Sequence, residues 1–238
     1  MLEMFERFSL SLSHPTSNTR THTHTHDSLD SPTHSSYDPE KVKDFLIKAD
    51  LPEPRPLIQV CDRFDFVDEL TEYLYPERMK YIAVYVSKVS PQKTPKVVGK
   101  LLDLNCDQQF IQTLLNSVRQ MCPVDPLVEE VEKRNKLRML EQWLEQRVNE
   151  GNQEASTHNA IGKIYITLNK KPQEWLLNNR CYDPKVIGKF CEKLDPYLAY
   201  IAYRRAWGDC DEELIKVTNE NGLLKDQARY LVERQDLD

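Results

Sequence analysis

The 238-residue chain is short of the features on which most recognisable sites are built. Gly is scarce, with 6 in the whole chain, and alternating β-branched runs are nearly missing. With abundant Glu, Lys, Leu and Gln, that argues against strands and for an all-helical protein. No apolar run approaches the roughly 20 residues that a membrane-spanning helix needs. A basic excess is lacking too: the formal charge is −6, which excludes a general nucleic-acid binder with a basic stripe. Six cysteines are present, Cys61, Cys106, Cys122, Cys181, Cys191 and Cys210, but no Cys-x-x-Cys pair and no secretory signal precedes them. They read as reduced, partly buried thiols, not as metal ligands or a disulfide framework. After residue 36 one histidine remains, His158.

What the chain does contain is a copy of itself. Tyr37-Asp38-Pro39 returns 145 positions later as Tyr182-Asp183-Pro184. At the same offset Phe45 matches Phe190, Lys48 matches Lys193, Asp50 matches Asp195 and Tyr85 matches Tyr230, with a drift of a few positions after Leu51. A period this long must hold several helical hairpins. Such self-similarity marks a stacked array in which each unit buries its apolar face against its neighbours. The expected organisation is a disordered Ser/Thr/His-rich stretch over 1–36, one full repeat over 37–181, and the start of a second, truncated repeat over 182–238. The run Thr21-His22-Thr23-His24-Thr25-His26 offers imidazoles, but without a second shell it makes no selective metal site.

Asp-Pro punctuates the rest, at Asp38-Pro39, Asp125-Pro126, Asp183-Pro184 and Asp195-Pro196, with Ser90-Pro91 and Thr94-Pro95 as relatives. Each is expected to cap a helix: the side-chain oxygen takes a free N–H, and Pro at the first position loses no hydrogen bond. Apolar residues then recur at helical spacing, as in Phe110, Ile111, Leu114, Leu115 and Val118, in Leu137, Leu140, Leu144 and Val148, and in Val186, Ile187, Phe190, Cys191 and Leu194. Helices are expected at 39–48, 56–64, 66–75, 77–88, 95–104, 107–120, 126–135, 137–149, 154–168, 172–178, from 184, and at 196–206, 211–219 and 223–234. Short loops make neighbours antiparallel. The fold class is therefore all-α, a right-handed-type α-solenoid of antiparallel hairpins.

Candidate chemistry is thin. Val98-Gly99-Lys100, Ile161-Gly162-Lys163 and Ile187-Gly188-Lys189 resemble fragments of a phosphate loop. All three lack the earlier Gly and the following Ser or Thr that such a loop requires. A Gly on an inner helix face instead lets a neighbour approach closely, so Gly162→Leu is expected to destabilise. His158 has no triad or zinc signature around it and is expected at a hairpin contact or helix surface. The run Glu129 to Arg134 reads as a solvated helix face. Trp143 and Trp175 read as packing residues and Trp207 as a turn residue exposed as an anchor. No catalytic, cofactor-binding or metal residue is assigned, no cofactor is expected, and binding residues stay unassigned.

Long strings then carry a resemblance: Asp50 to Phe64 (DLPEPRPLIQVCDRF), Pro126 to Asn135 (PLVEEVEKRN), Thr157 to Lys163 (THNAIGK) and Tyr182 to Lys193 (YDPKVIGKFCEK). The sequence resembles clathrin heavy chain from Tyr37 to about Asp238. The resemblance implies a leg segment of the coat triskelion, built of heavy-chain repeats, that supports lattice assembly in vesicle transport and endocytosis and is not an enzyme. It implies other heavy-chain legs as partners, light chains mostly outside this segment, no nucleic acid, membrane contact only through the coat, and a cytoplasmic place on coated vesicles and pits. The His/Thr-rich start has no counterpart in the family, and around Ala206-Trp207-Gly208 the chain is about two residues longer than its pattern. The competing readings are a free-standing solenoid that binds a peptide in its groove, and a truncated heavy-chain fragment that does not assemble. Residues 37–238 alone are expected neither to trimerise nor to form cages.

Overall fold

The structure is a computed structural model that describes residues 38–235; the disordered stretch expected over 1–36 lies outside the described residues. These residues form fourteen α-helices joined by short turns. In order they are α1 (Pro39–Ala49), α2 (Arg55–Arg63), α3 (Val67–Leu74), α4 (Met79–Val84), α5 (Thr94–Asp103), α6 (Gln108–Val118) and α7 (Val124–Glu132). Then come α8 (Glu141–Asn149), α9 (Ala155–Thr167), α10 (Pro172–Asn178), α11 (Pro184–Cys191), α12 (Pro196–Arg204), α13 (Asp211–Glu220) and α14 (Leu224–Gln235). α4 runs on into a π-helical turn, Tyr85–Val89, and α8 is preceded by a 3₁₀ turn, Leu137–Leu140.

The helices stack in two rows. The odd-numbered helices touch in sequence, α3 to α5, α5 to α7, α7 to α9 and α9 to α11. The even-numbered row runs from the π turn to α6 and α6 to α8, with α10 against α12. Consecutive helices close the hairpins, as in α1–α2, α8–α9, α11–α12 and α12–α13. This is the expected array of hairpins, each held by its neighbours. The core lies between the rows and includes Leu70, Leu101, Leu115, Leu127, Leu140, Leu144 and Ile187, none more than 1 % exposed. Each such side chain contributes about 1.5–3 kcal/mol by leaving water. One continuous core cluster passes from Ile166 through Tyr182, Ile187 and Tyr203 to Tyr230, so packing crosses position 181 without a break.

Proline signals divide into two kinds. Asp38, Asp183 and Asp195 cap as expected, each accepting from backbone N–H groups two or three residues on. Asp125-Pro126 does not cap: α7 already starts at Val124, and Pro126 lies in the first turn, where its missing N–H has no partner to lose. Ser90 and Thr94 make no cap either; Thr94 Oγ1 donates to the Pro91 carbonyl at 2.6 Å. Left-handed turns that Gly usually supplies are made here by Asp50, Asp65, Asn105, Asn135 and Asn169. Asn and Asp tolerate that region best after Gly, which is how a chain with 6 glycines turns so often. Two members of the third apolar stripe, Val186 at 41 % and Leu194 at 59 %, are exposed: helical spacing located the helix but drew its buried face too wide.

The 145-residue offset has structural content. Asp38 and Asp183 cap equivalent helices. Tyr85 and Tyr230, matched in sequence, are both fully buried, and each donates its hydroxyl to an aspartate of a neighbouring segment, Asp62 and Asp211.

Candidate interaction surface

Charged side chains join the odd-numbered helices in a ladder. Lys43 of α1 pairs with Glu69 of α3 at 3.4 Å, and Lys100 of α5 with Glu72 of α3 at 2.8 Å. Arg134, just after α7, clamps Asp103 of α5 through two bonds of 2.7 and 2.6 Å and also holds Glu130 at 2.8 Å. Lys163 of α9 reaches Glu132 of α7 at 2.8 Å, and Lys185 of α11 reaches Glu213 of α13 at 2.8 Å. Asp65 takes both Lys93 and Lys96. The run Glu129 to Arg134 is thus more than a solvated face: it is the junction at which α5, α7 and α9 are tied. The sequence concealed this, because each partner lies about one hairpin away.

The same ladder explains two of the apolar-Gly-Lys triplets. Lys100 and Lys163 reach back to the preceding odd helix, while Gly99 and Gly162 leave room for what lies alongside. A Cβ on Gly162 would sit 2.5 Å from the Trp175 ring, and one on Gly188 would sit 2.3 Å from the Tyr203 ring. Trp175 is half-buried between Tyr165 and Tyr182, stacked on the latter at 5.4 Å, and Trp143 is buried, so both act in packing as expected. Trp207 is 48 % exposed, in a left-handed turn, with one edge against Tyr230.

His158 is buried at a hairpin contact. Its Nε2–H donates to the Asn152 carbonyl at 2.9 Å, and its Nδ1 accepts from Asn179 Nδ2 at 2.9 Å. Both ring nitrogens are committed to hydrogen bonds within the fold. Buried Arg147 escaped the sequence reading. It lies over the Trp143 ring and donates to the Arg119 carbonyl at 3.0 Å and to Glu154 at 3.3 Å. Only long-range contacts reveal it, so no local signal could have singled it out.

Among the described residues no group of His, Cys, Asp and Glu is arranged to hold a metal, and no helix is long and apolar enough to cross a membrane. An open cleft of about 550 Å³ lies between α10 and α12, lined by Pro172, Leu177, Tyr197 and Leu198 together with Lys171 and Asp195. No nucleophile and base converge there.

Electrostatics give the surface a pH dependence. The Arg134 hydrogen bonds hold the Asp103 and Glu130 carboxyls below their usual range, the Lys93 and Lys96 bonds do so for Asp65, and Lys185 for Glu213. A depressed folded value means the folded state releases the proton more readily than the unfolded one. Stability from these pairs is therefore present above the unfolded carboxylate values, near about pH 4, and is lost as pH falls through the folded values. The urea midpoint should drop on acidification through that range. It should also drop modestly at neutral pH when salt is added, since exposed pairs are weak and screened. A midpoint that is flat in both series would contradict the ladder's role.

All six thiols are free, and five are buried. Burial pushes Cys61, Cys122 and Cys191 up to about 12, so little thiolate exists to react. A thiol-titrating reagent should modify half-buried Cys181 quickly in the native protein and the other five only on unfolding. Rapid native labelling of Cys191, read by peptide mass, would overturn this assignment.

Comparison with known proteins places this geometry. The family model described as the region in clathrin and VPS matches residues 115–238. Clathrin heavy chain of Dictyostelium discoideum is 59 % identical over 203 residues, clathrin heavy chain 1 of Arabidopsis thaliana 58 %, and human clathrin heavy chain 2 52 %. Each alignment covers 85 % of this chain and 12 % of the relative. The chain therefore spans about an eighth of the length of the curated relatives it matches.

Proposed function

The chain belongs to the clathrin family, and from that membership we propose that it is a leg segment of the clathrin vesicle coat, a structural component that supports lattice assembly in vesicle transport and endocytosis. The observation that carries the reading is identity above half, extending over 85 % of the chain, to clathrin heavy chains of slime mould, plant and human. The ladder of ion pairs that ties neighbouring helices supports a scaffolding role. We assign no catalytic, cofactor or metal residue.

In this reading the partners are other heavy-chain legs, with light chains mostly outside the segment and membrane reached only through the coat, on the cytoplasmic side of coated pits and vesicles. Many small, separable polar contacts acting together give avidity and remain reversible. Residues 37–181 make one full repeat and 182–238 begin the next, a division supported by the paired Asp38 and Asp183 caps and the paired Tyr85 and Tyr230.

A chimera tests the proposal. The matching segment of the Dictyostelium heavy chain is replaced by residues 38–235 of this chain, and assembly is followed by electron microscopy. Cages of normal form are expected. Trimers that fold yet never close into cages would refute the proposed role.

A further inference from the structure

Two joints of the even row are wired alike and strained differently. Arg147 of α8 donates from Nη1 to the carbonyl of Arg119, the residue that closes α6, at 3.0 Å. Arg205, just after α12, donates from Nη1 to the carbonyl of Asn179, the residue that closes α10. In each case an arginine grips the backbone of the turn one hairpin earlier. At the second joint that turn is relaxed: Asn179 has φ −82° and ψ 131°, ordinary extended backbone. Arg205 there is half-buried, with its guanidinium 4.4 Å from the Tyr182 ring centre. The first joint carries two burdens that the second lacks. Arg119 has φ 50° and ψ −126°, the conformation that Gly takes at the first central position of a type II′ turn and that an L side chain strains to reach. Arg147 is 4 % exposed, and its Nε has no hydrogen-bond partner among the described residues. The carboxylate it reaches, Glu154 at 3.3 Å, is itself mostly in solvent.

We infer that Arg119 and Arg147 form a strained latch, and that the turn between α6 and α7 is where the array opens first. A buried cation whose donors are incompletely met is destabilised relative to the same group in water. Opening the latch relieves the Arg119 backbone and rehydrates the guanidinium, which offsets the loss of the Arg119 bond and of the contact with the Trp143 ring. Opening the second joint relieves no strain. Cys122 lies in the latched turn, is 1 % exposed, and is close enough to Arg147 for that charge to act on its thiol. Release of the latch uncovers it. The odd-row side of the same hairpins stays tied by the Arg134–Asp103 and Lys163–Glu132 pairs, so the opening is confined to the edge formed by the turn.

Thiol labelling of the full chain tests this, in urea below the midpoint of global unfolding and read cysteine by cysteine from peptide masses. Cys61, Cys122 and Cys191 make a matched set, since burial holds all three thiols up at about 12. Cys122 should react at least tenfold faster than the other two, because its turn unfolds locally while their hairpins stay closed. Arg119→Gly keeps the carbonyl that Arg147 grips and removes the strain, so it should slow Cys122 at least threefold. Arg147→Gln should speed Cys122 at least tenfold. Cys61 and Cys191 should keep their rates in both variants. Equal rates for the three thiols in the unaltered chain overturn the inference, and so does an Arg119→Gly variant in which Cys122 reacts as fast as before or faster. If Arg147→Gln speeds all three thiols together, Arg147 supports the whole core and is no latch. Arg119 is an exposed turn residue, so the Arg119→Gly arm stays readable even where Arg147→Gln fails to fold. The inference concerns the chain by itself, and the outcome of the coat chimera leaves it untouched.

Discussion

Gly188→Ala should destabilise the chain by about 2–3 kcal/mol, although alanine is the better helix former by about 1 kcal/mol. The new Cβ would lie 2.3 Å from a ring carbon of Tyr203. Tyr203 is 1 % exposed, donates its hydroxyl to Glu192 at 2.6 Å and is enclosed by the core cluster, so the ring has nowhere to swing and α11 and α12 must part. The melting temperature should fall by about 5–10 °C. The other helical glycines serve as internal controls. At Gly162 the neighbour is half-buried Trp175, which can tilt outward, so Gly162→Ala should lose less. At Gly99 the nearest atoms are the carboxylate of Glu130 and the guanidinium of Arg134, the ends of long side chains that move cheaply. Gly99→Ala should then be near neutral or slightly stabilising. Adding Tyr203→Leu to Gly188→Ala should recover part of the loss, with a coupling of about 1 kcal/mol or more. Equal melting temperatures for the three alanine variants would mean that close approach is not what these glycines provide.

Leu127→Ala should remove about 2–5 kcal/mol locally. Leu127 is fully buried in α7, which is packed against both α5 and α9, so the cavity cannot be refilled without disturbing two interfaces. In an array stabilised by neighbour contacts the damage should stay near its origin. Native-state hydrogen exchange should lose protection in α5, α7 and α9 while α12 and α13 keep theirs. Uniform loss of protection from α1 to α14 would mean that the chain unfolds as one cooperative block.

These two predictions also mark what the sequence could disclose. Helix positions were legible because capping aspartates, prolines and apolar spacing are local signals; α10, expected at 172–178, spans Pro172–Asn178. Local signals also misled where a residue pair had two uses. Asp125-Pro126 looks like a cap and is a first turn, and Val186 and Leu194 share the spacing of a stripe yet face outward. The apolar-Gly-Lys triplets lie inside α5, α9 and α11, but their partners Trp175, Tyr203, Glu72 and Glu132 emerge only when the hairpins stack. The buried Arg147 and the two hydrogen bonds of His158 were hidden for the same reason.

The odd-row ladder also bears on compliance. Its rungs sit at the surface: the side chains of Asp65, Glu72 and Asp103 are each about half exposed. Opening one rung forfeits little energy, whereas parting the core between the rows exposes leucine and tyrosine to water. The array therefore behaves like a leaf spring with a firm spine and a row of detachable clips along one set of helices. Curvature that strains the clips costs little, curvature that pries the rows apart costs much, and added salt softens the first by screening it.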